Sequence, residues 1–357
     1  MRRNALFAKP LATTILSATC GLLLAAAGAG CGDETMDPNN NNMMMMMPPA
    51  KVTCDASKVT GDSSKLATDA LKLPTAGKSY AYDIDGDGVA ENQLKNLLNI
   101  VSSQINLQDS VNEAVTKGQA VLLVDLKAPS TKDATCAGLT LGLAKVPAMP
   151  PKFDGTDTFM LGDIMGVKLY GSLTAGKLGT TPPKDQTAET EQKIEIRLPL
   201  SMGMDLPLVL HAAHVEGTVA LENNVLRIKD GALHGVISKD DIDNKIVPLI
   251  GDIITNLIHD EAKKDPMSNT IKTLVGLFEK SAYSKTKCMS DAMKCCATNP
   301  LTCKIEKQEI IDSPIGGVLA PDVEVFDAAG KWKPVAKGKN PNGMSVGLGF
   351  TAVKAAF

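Results

Sequence analysis

Between Leu11 and Ala27 the chain carries no charged residue. Arg2, Arg3 and Lys9 precede this run, and the small residues Ala27, Gly28, Ala29 and Gly30 close it. A basic start, an apolar stretch and a small-residue end are the signature of an export leader. An uncharged stretch of this length could also anchor in a bilayer. Asp33, Glu34, Asp37 and the run Asn39–Asn42 follow at once, however, which suits removal of the leader better. The constraint is chemical as much as topological: the chain is expected to fold outside the cytosol, where thiols pair into disulfides.

Gly28-Ala29-Gly30-Cys31 resembles the lipobox of bacterial lipoproteins, in which the cysteine sulfur is acylated and becomes the mature N-terminus, although Gly28 stands where leucine is usual. The rival is an ordinary cut after Ala27-Gly28-Ala29 that releases a secreted soluble protein. Cysteine usage favours lipidation. Of eight cysteines, Cys20 leaves with the leader, and acylation of Cys31 leaves Cys54, Cys136, Cys288, Cys295, Cys296 and Cys303 as disulfide candidates. Without acylation, one thiol would be left over. The sequence leaves the pairing of the six open. Two or three acyl chains would hold the protein stably on a membrane. Gly32, rather than Asp, after Cys31 is compatible with outer-membrane delivery. Residues 1–30 are thus read as signal peptide, 31–50 as lipidated N-terminus and tether, and 51–357 as one domain. The tether contains Met43–Met47, whose thioethers could hold copper(I), but repeat expansion in an unconstrained linker explains them more simply.

The 357 residues hold 37 Lys+Arg and 40 Asp+Glu, and loss of Arg2, Arg3 and Lys9 leaves 34 basic groups. Such a chain offers no basic excess for phosphates, and 3% aromatic residues provide few stacking platforms. Nucleic acid is not an expected partner. Gln119–Leu126, Gln192–Leu198, Leu206–His211, Val215–Leu221, Val225–Ile228 and Ser345–Val353 read as strands, with a hairpin turn at Glu222-Asn223-Asn224 and glycines in the last strand that permit close backbone approach. Little helix intervenes between the middle runs, which argues for antiparallel pairing. Helical spacing marks Asn92–Ile105, with Leu94, Leu97, Leu98 and Val101 on one face, and Thr270–Phe278. It also marks Ser238–His259, where Ile242, Ile246, Ile250, Ile253 and Leu257 recur after a Ser238/Asp241 cap and Pro248 predicts a kink or break. The expected fold class is α+β, an antiparallel sheet or sandwich with flanking helices.

Asp83-Ile84-Asp85-Gly86-Asp87-Gly88-Val89-Ala90-Glu91 is the sharpest motif. Carboxylates at loop positions 1, 3 and 5 can converge on one hard cation. Gly88 at position 6 allows the bend, the Val89 carbonyl adds an oxygen at position 7, and Glu91 stands at position 9. Position 12, a bidentate Glu in an EF-hand, is Leu94. The motif, 83–94, therefore predicts a weak Ca²⁺ site with ligands Asp83, Asp85, Asp87, Val89 and Glu91; magnesium would prefer fewer protein oxygens.

Asp83–Leu98 (DIDGDGVAENQLKNLL), Asn112–Leu126 and Val318–Val353, with VLAPDVEVFDAAGKWKP and SVGLGFTAV, together resemble a family of uncharacterised bacterial predicted lipoproteins. The resemblance implies the aspartate-rich loop and a second EF-hand-like segment before LAPDV, but no established activity. The second segment falls on Thr298–Glu309. Ile305 keeps position 8 and Glu309 position 12, whereas Thr298, Pro300 and Thr302 fill positions 1, 3 and 5 and Cys303 replaces the bend glycine. It reads as a loop that has lost its ion, in a region that Cys288, Cys295, Cys296 and Cys303 could brace by disulfides instead.

Three catalytic or metal patterns fail on inspection. Gly343-Met344-Ser345-Val346-Gly347 matches a nucleophile elbow, yet no histidine follows it. Gly171–Leu178 lacks the Ser/Thr of a phosphate loop. His211 and His214, three apart in a strand, should face opposite ways and share no zinc, and His234 and His259 are isolated. The expected function is a non-catalytic, calcium-braced binding or structural lipoprotein of the cell envelope, its membrane contact the N-terminal lipid. The alternative is an envelope hydrolase with unrecognised catalytic groups. Intact mass of native material should show a chain beginning at acylated Cys31 with the remaining thiols oxidised. A mass beginning at Met1, or one without lipid, would contradict this reading.

Overall fold

The computed structural model describes residues 54–75, 77–101, 107–199 and 205–357. Cys20, Cys31, the tether and Met43–Met47 lie outside the described residues. In order, the elements are β1 (Asp62–Lys72), α1 (Gln93–Val101), α2 (Leu107–Thr116), β2 (Leu122–Ala128), β3 (Ala134–Ala144), β4 (Leu161–Thr174), β5 (Lys177–Thr180), β6 (Ile194–Pro199), β7 (Asp205–Glu222) and β8 (Val225–Ser238). A helical insert of α3 (Lys239–Asp241), α4 (Val247–Lys264), α5 (Asn269–Phe278), α6 (Ala282–Ser290), α7 (Lys307–Ile311) and α8 (Pro314–Val318) precedes the last strand, β9 (Gly343–Lys354).

The sheet runs β5-β4-β3-β2-β1-β9-β8-β7-β6 and closes where β5 also pairs with β7. The result is α+β with an antiparallel sheet, but the sheet is a closed eight-stranded barrel with β6 outside the ring, more specific than the open sheet or sandwich expected. Closure depends on one long strand. The two runs read separately as Leu206–His211 and Val215–Leu221 are a single β7, which pairs with β8 over most of its length. On its other edge it pairs with β6 through Leu206–Leu210 and with β5 through Glu216–Thr218. Register shifts between His211 and His214 and between Glu216 and Thr218 bend it, as bulges do where sheets curl. The β7–β8 turn has Asn223 and Asn224 at φ 50° and 64°, the two left-handed residues of a tight hairpin.

The expected kink at Pro248 takes a different form. Ile242–Ile246 form a π turn, and Pro248 then occupies the first turn of α4, where a missing N–H costs least. The wider turn rotates the remainder of the helix: Ile242 and Ile246 are buried as expected and Ile250 and Leu257 pack half-buried against the core, but the most buried positions become Gly251, Ile254 and Ile258. In α5 the inner residues are Ile271, Leu274, Val275 and Phe278. α1 ends at Val101, and the continuation to Ile105 lies outside the described residues.

One apolar core joins the strands to the inner faces of the helices. Where Leu71, Leu122, Ile196, Leu348 and Phe350 meet, the remaining void is about 20 Å³, far below the roughly 300 Å³ of a small-molecule cavity. A satellite cluster of Ile84, Ala212, Val236, Val323, Val325 and Trp332, with Tyr82 and Phe326 against it, packs the 82–84 segment and the 323–332 segment onto β7 and β8. Among the described residues no helix is long and apolar enough to cross a membrane. The six cysteines pair as Cys54–Cys136, Cys288–Cys295 and Cys296–Cys303.

The glycines of β9 do what the sequence suggested. A Cβ on Gly347 would stand 1.9 Å from the Tyr80 carbonyl oxygen, so the 79–92 segment can cross the strand only over hydrogen. Gly347→Ala should therefore destabilise the fold by about 1–3 kcal/mol in urea denaturation. An unchanged midpoint would show that the crossing is not tight.

Candidate metal centre

The aspartate-rich loop is held at its base by backbone. Tyr82 and Glu91 exchange N–H···O bonds of 3.1 Å in both directions. Between them Ile84 is fully buried in the satellite cluster, so Asp83 and Asp85, its neighbours, turn outward around an anchored residue. Gly86 and Gly88 take φ of 84° and 90°, a conformation that favours glycine. The aspartates shape the loop by accepting its amides: Asp83 Oδ1 from Gly86 at 2.7 Å, Asp83 Oδ2 from Gly88 at 3.3 Å, Asp85 Oδ1 from Asp87 at 3.1 Å and Asp87 Oδ1 from Val89 at 2.7 Å.

Asp83, Asp85 and Glu91 bring carboxylate oxygens within 4.8 Å of one another. Oxygens 2.3–2.6 Å from a shared calcium ion stand at such separations. Asp87 lies outside this trio, and Val89 is an exposed residue whose N–H bonds to Asp87. Leu94, at loop position 12, is buried in the core. Glu91 Oε2 is buried with no hydrogen-bond partner. Burial, then the charge of Asp85, pushes the Glu91 carboxyl up to about 7, and burial raises Asp85 as well.

The sequence reading missed Asp322, although the LAPDV stretch contains it. Its carboxylate accepts the Ser345 N–H at 2.7 Å and the Ser345 hydroxyl, while Ser345 Oγ accepts the Gln93 N–H at 2.9 Å. The start of α1, just past the acidic loop, is thereby tied to β9. Burial raises the Asp322 carboxyl, with a further contribution from Asp85. Ser345 thus connects Asp322 and the start of α1 from within β9. Gly171–Leu178 is no phosphate loop but the β4–β5 hairpin, turning at Ala175-Gly176.

The histidines depart from expectation. His211 pairs with Val236 and His214 with His234, and residues two apart on β8 share a face. His211 and His214 therefore face the same way, because the bulge at Ala212, φ 46°, adds a residue between them. Their partners still differ: His211 Nδ1 meets Glu191 at 2.5 Å, and His214 Nδ1 meets Thr180 Oγ1 at 3.1 Å. Nor is His234 isolated. The Tyr82 ring lies 4.7 Å from the His214 ring and 4.8 Å from that of His234, and His234 Nε2 stands 3.4 Å from Glu216. Cross-strand register brings this cluster together, a signal that sequence spacing does not carry. Burial pushes the Tyr82 phenol up to about 12. Glu216 is lowered, chiefly by its bond to His234.

A second group, Glu279, Cys288 and Cys295, is not available to a metal, since the two cysteines are bonded to each other. Instead, Glu279 accepts the Cys296 N–H at 2.5 Å and the Ala297 N–H at 3.0 Å. No protein-family model, no curated protein and no solved structure matches the chain. Function is therefore read from residues and geometry.

Burial, and then the neighbouring His234, pulls His214 down from 6.5 to about 4. A histidine depressed in the fold takes up its proton more readily when unfolded, so its contribution is complete above pH 6.5 and is lost as pH falls toward 4. The stability difference between the native protein and His214→Gln should shrink by about 3 kcal/mol over that window. A difference independent of pH would contradict this.

Proposed function

We propose that the protein is a non-catalytic cell-envelope lipoprotein, anchored by acylated Cys31, whose barrel domain is braced by one weak calcium ion at Asp83, Asp85 and Glu91. The observation that carries the calcium reading is the buried, partnerless Glu91 Oε2 inside a trio of carboxylates. Like charges at such separation repel, and burial strengthens the repulsion; a divalent cation removes both costs. Oxygen-only donors suit a hard ion, and Leu94 at position 12 leaves too few of them for tight binding. Asp322 lies close enough to raise Glu91 further, which adds to the local negative field.

Export is supported by the three disulfides, which belong to an oxidising compartment. The likeness of Asp83–Leu98 and Val318–Val353 to the predicted-lipoprotein family belongs to the same proposal, as does delivery to the outer membrane. A bracing role fits the ion's position: the loop lies between Tyr82, which packs on β7 and β8, and α1, which is tied to β9.

About 5 mM calcium should raise Tm by about 3–6 °C, given a submillimolar Kd. Asp83→Asn with Asp85→Asn should remove the increment, and equal magnesium should give less. A wild-type Tm indifferent to calcium would defeat the ion, and turnover of ester, glycoside or peptide substrates would defeat the non-catalytic reading.

A further inference from the structure

Aligned as a twelve-residue calcium loop, Thr298–Glu309 has Thr298, Pro300 and Thr302 at positions 1, 3 and 5, yet it shows part of the binding geometry of such a loop. In a twelve-residue calcium loop the ion is held by, among others, the backbone carbonyl of position 7 and the carboxylate of position 12. Here those positions are Lys304 and Glu309. Their oxygens do converge on one cationic atom, the Nζ of Lys287, which donates to the Lys304 carbonyl at 2.9 Å and to Glu309 Oε2 at 2.6 Å.

The surroundings keep the same plan. The exit helix, α7, starts at Lys307, position 10. Glu309 sits in its first turn and its Oε2 also accepts the Glu306 N–H at 2.8 Å. Ile305, position 8, is buried, and its N–H is taken by Thr255 Oγ1 of α4 at 2.9 Å. Thr298, position 1, has turned away and donates to the carbonyls of Ala292 and Cys295. Cys303, at the bend, is bonded to Cys296, so a covalent link holds the turn that a glycine and an ion would otherwise shape. Lys287 arrives from α6, the helix before the loop.

The pair is sealed. The Lys287 side chain is 6% exposed and that of Glu309 0%. Glu309 Oε1 is buried with no partner, the second oxygen of a carboxylate that binds bidentately in a metal loop. An ordinary buried ion pair is under no requirement to recruit both the carbonyl and the carboxylate that a metal would take from the same loop.

We propose that Thr298–Glu309 is a self-occupied cation site, in which the Lys287 ammonium is the resident ion. The class of ligand is a primary alkylammonium, supplied by the chain itself. Tethering removes the dependence on free ion concentration, so the helical insert keeps its loop closed at any calcium level, and calcium binding is confined to Asp83–Glu91.

Lys287→Ala deletes three methylenes and the ammonium, a shape that n-propylammonium restores. The purified protein carrying Lys287→Ala should lose about 10 °C of Tm, as expected when a buried charge is left unpaired. About 100 mM n-propylammonium chloride should return much of that loss, with no such gain in the wild type and little from n-propanol. An unchanged Tm, no recovery, or equal recovery by the neutral alcohol overturns the proposal. A second measurement leaves Lys287 in place. Terbium titrated into Asp83→Asn/Asp85→Asn should show no bound lanthanide, whereas binding abolished by a further Glu309→Gln would mean that the second loop takes metal and the lysine does not fill it. Failure of the calcium reading is distinct from either result: it appears as no terbium or calcium binding in the wild type.

Discussion

The double pairing of β7 is the constraint on which the architecture rests. A strand at the end of an open sheet leaves a row of amides and carbonyls without partners. β7 avoids this by dividing one edge between β6 and β5 while β8 occupies the other. The division requires a strand long enough to serve two neighbours and bent enough to meet both. Bulges at Ala212 and near Gly217 supply the bend, and the same bulge that turns the strand brings His211 and His214 to one face. The β7–β8 pairing that carries the ring past this bend also sets His214 opposite His234.

Much of the fold was legible because its signals are local. The hairpin at Asn223-Asn224, the inner face of α5 and the glycine-bearing last strand all depend on residues close in sequence, and each reads as built. The π turn at Ile242–Ile246 was not legible. Isoleucines at helical spacing predict a continuous stripe, and the widened turn before Pro248 moves the most buried positions of α4 along by one while Ile250 and Leu257 stay against the core. Barrel closure was hidden for another reason: whether a sheet closes depends on which strand meets the short β5, and β5 is four residues with no periodicity of its own.

The acidic loop shows the same boundary. Asp83, Asp85 and Glu91 were visible as a pattern, and the fold gathers them. Asp87 accepts the Val89 amide and stands outside that trio. Asp322 could not be joined to the loop from sequence, since β9 mediates the link through Ser345. Two cation problems have thus been met in different ways within one chain. At Asp83–Glu91 three carboxylates are gathered around one point, while at Glu309 a buried carboxylate is met by a lysine from the preceding helix.

The Cys54–Cys136 bridge closes a covalent ring across 82 residues. β1, the aspartate loop, α1 and β2 all lie inside that ring. Tension arriving along the chain ahead of Cys54 would pass through sulfur to β3, so the enclosed segment cannot be drawn out while the bridge holds. Load applied ahead of Cys54 would bypass the very stretch in which the carboxylates are gathered.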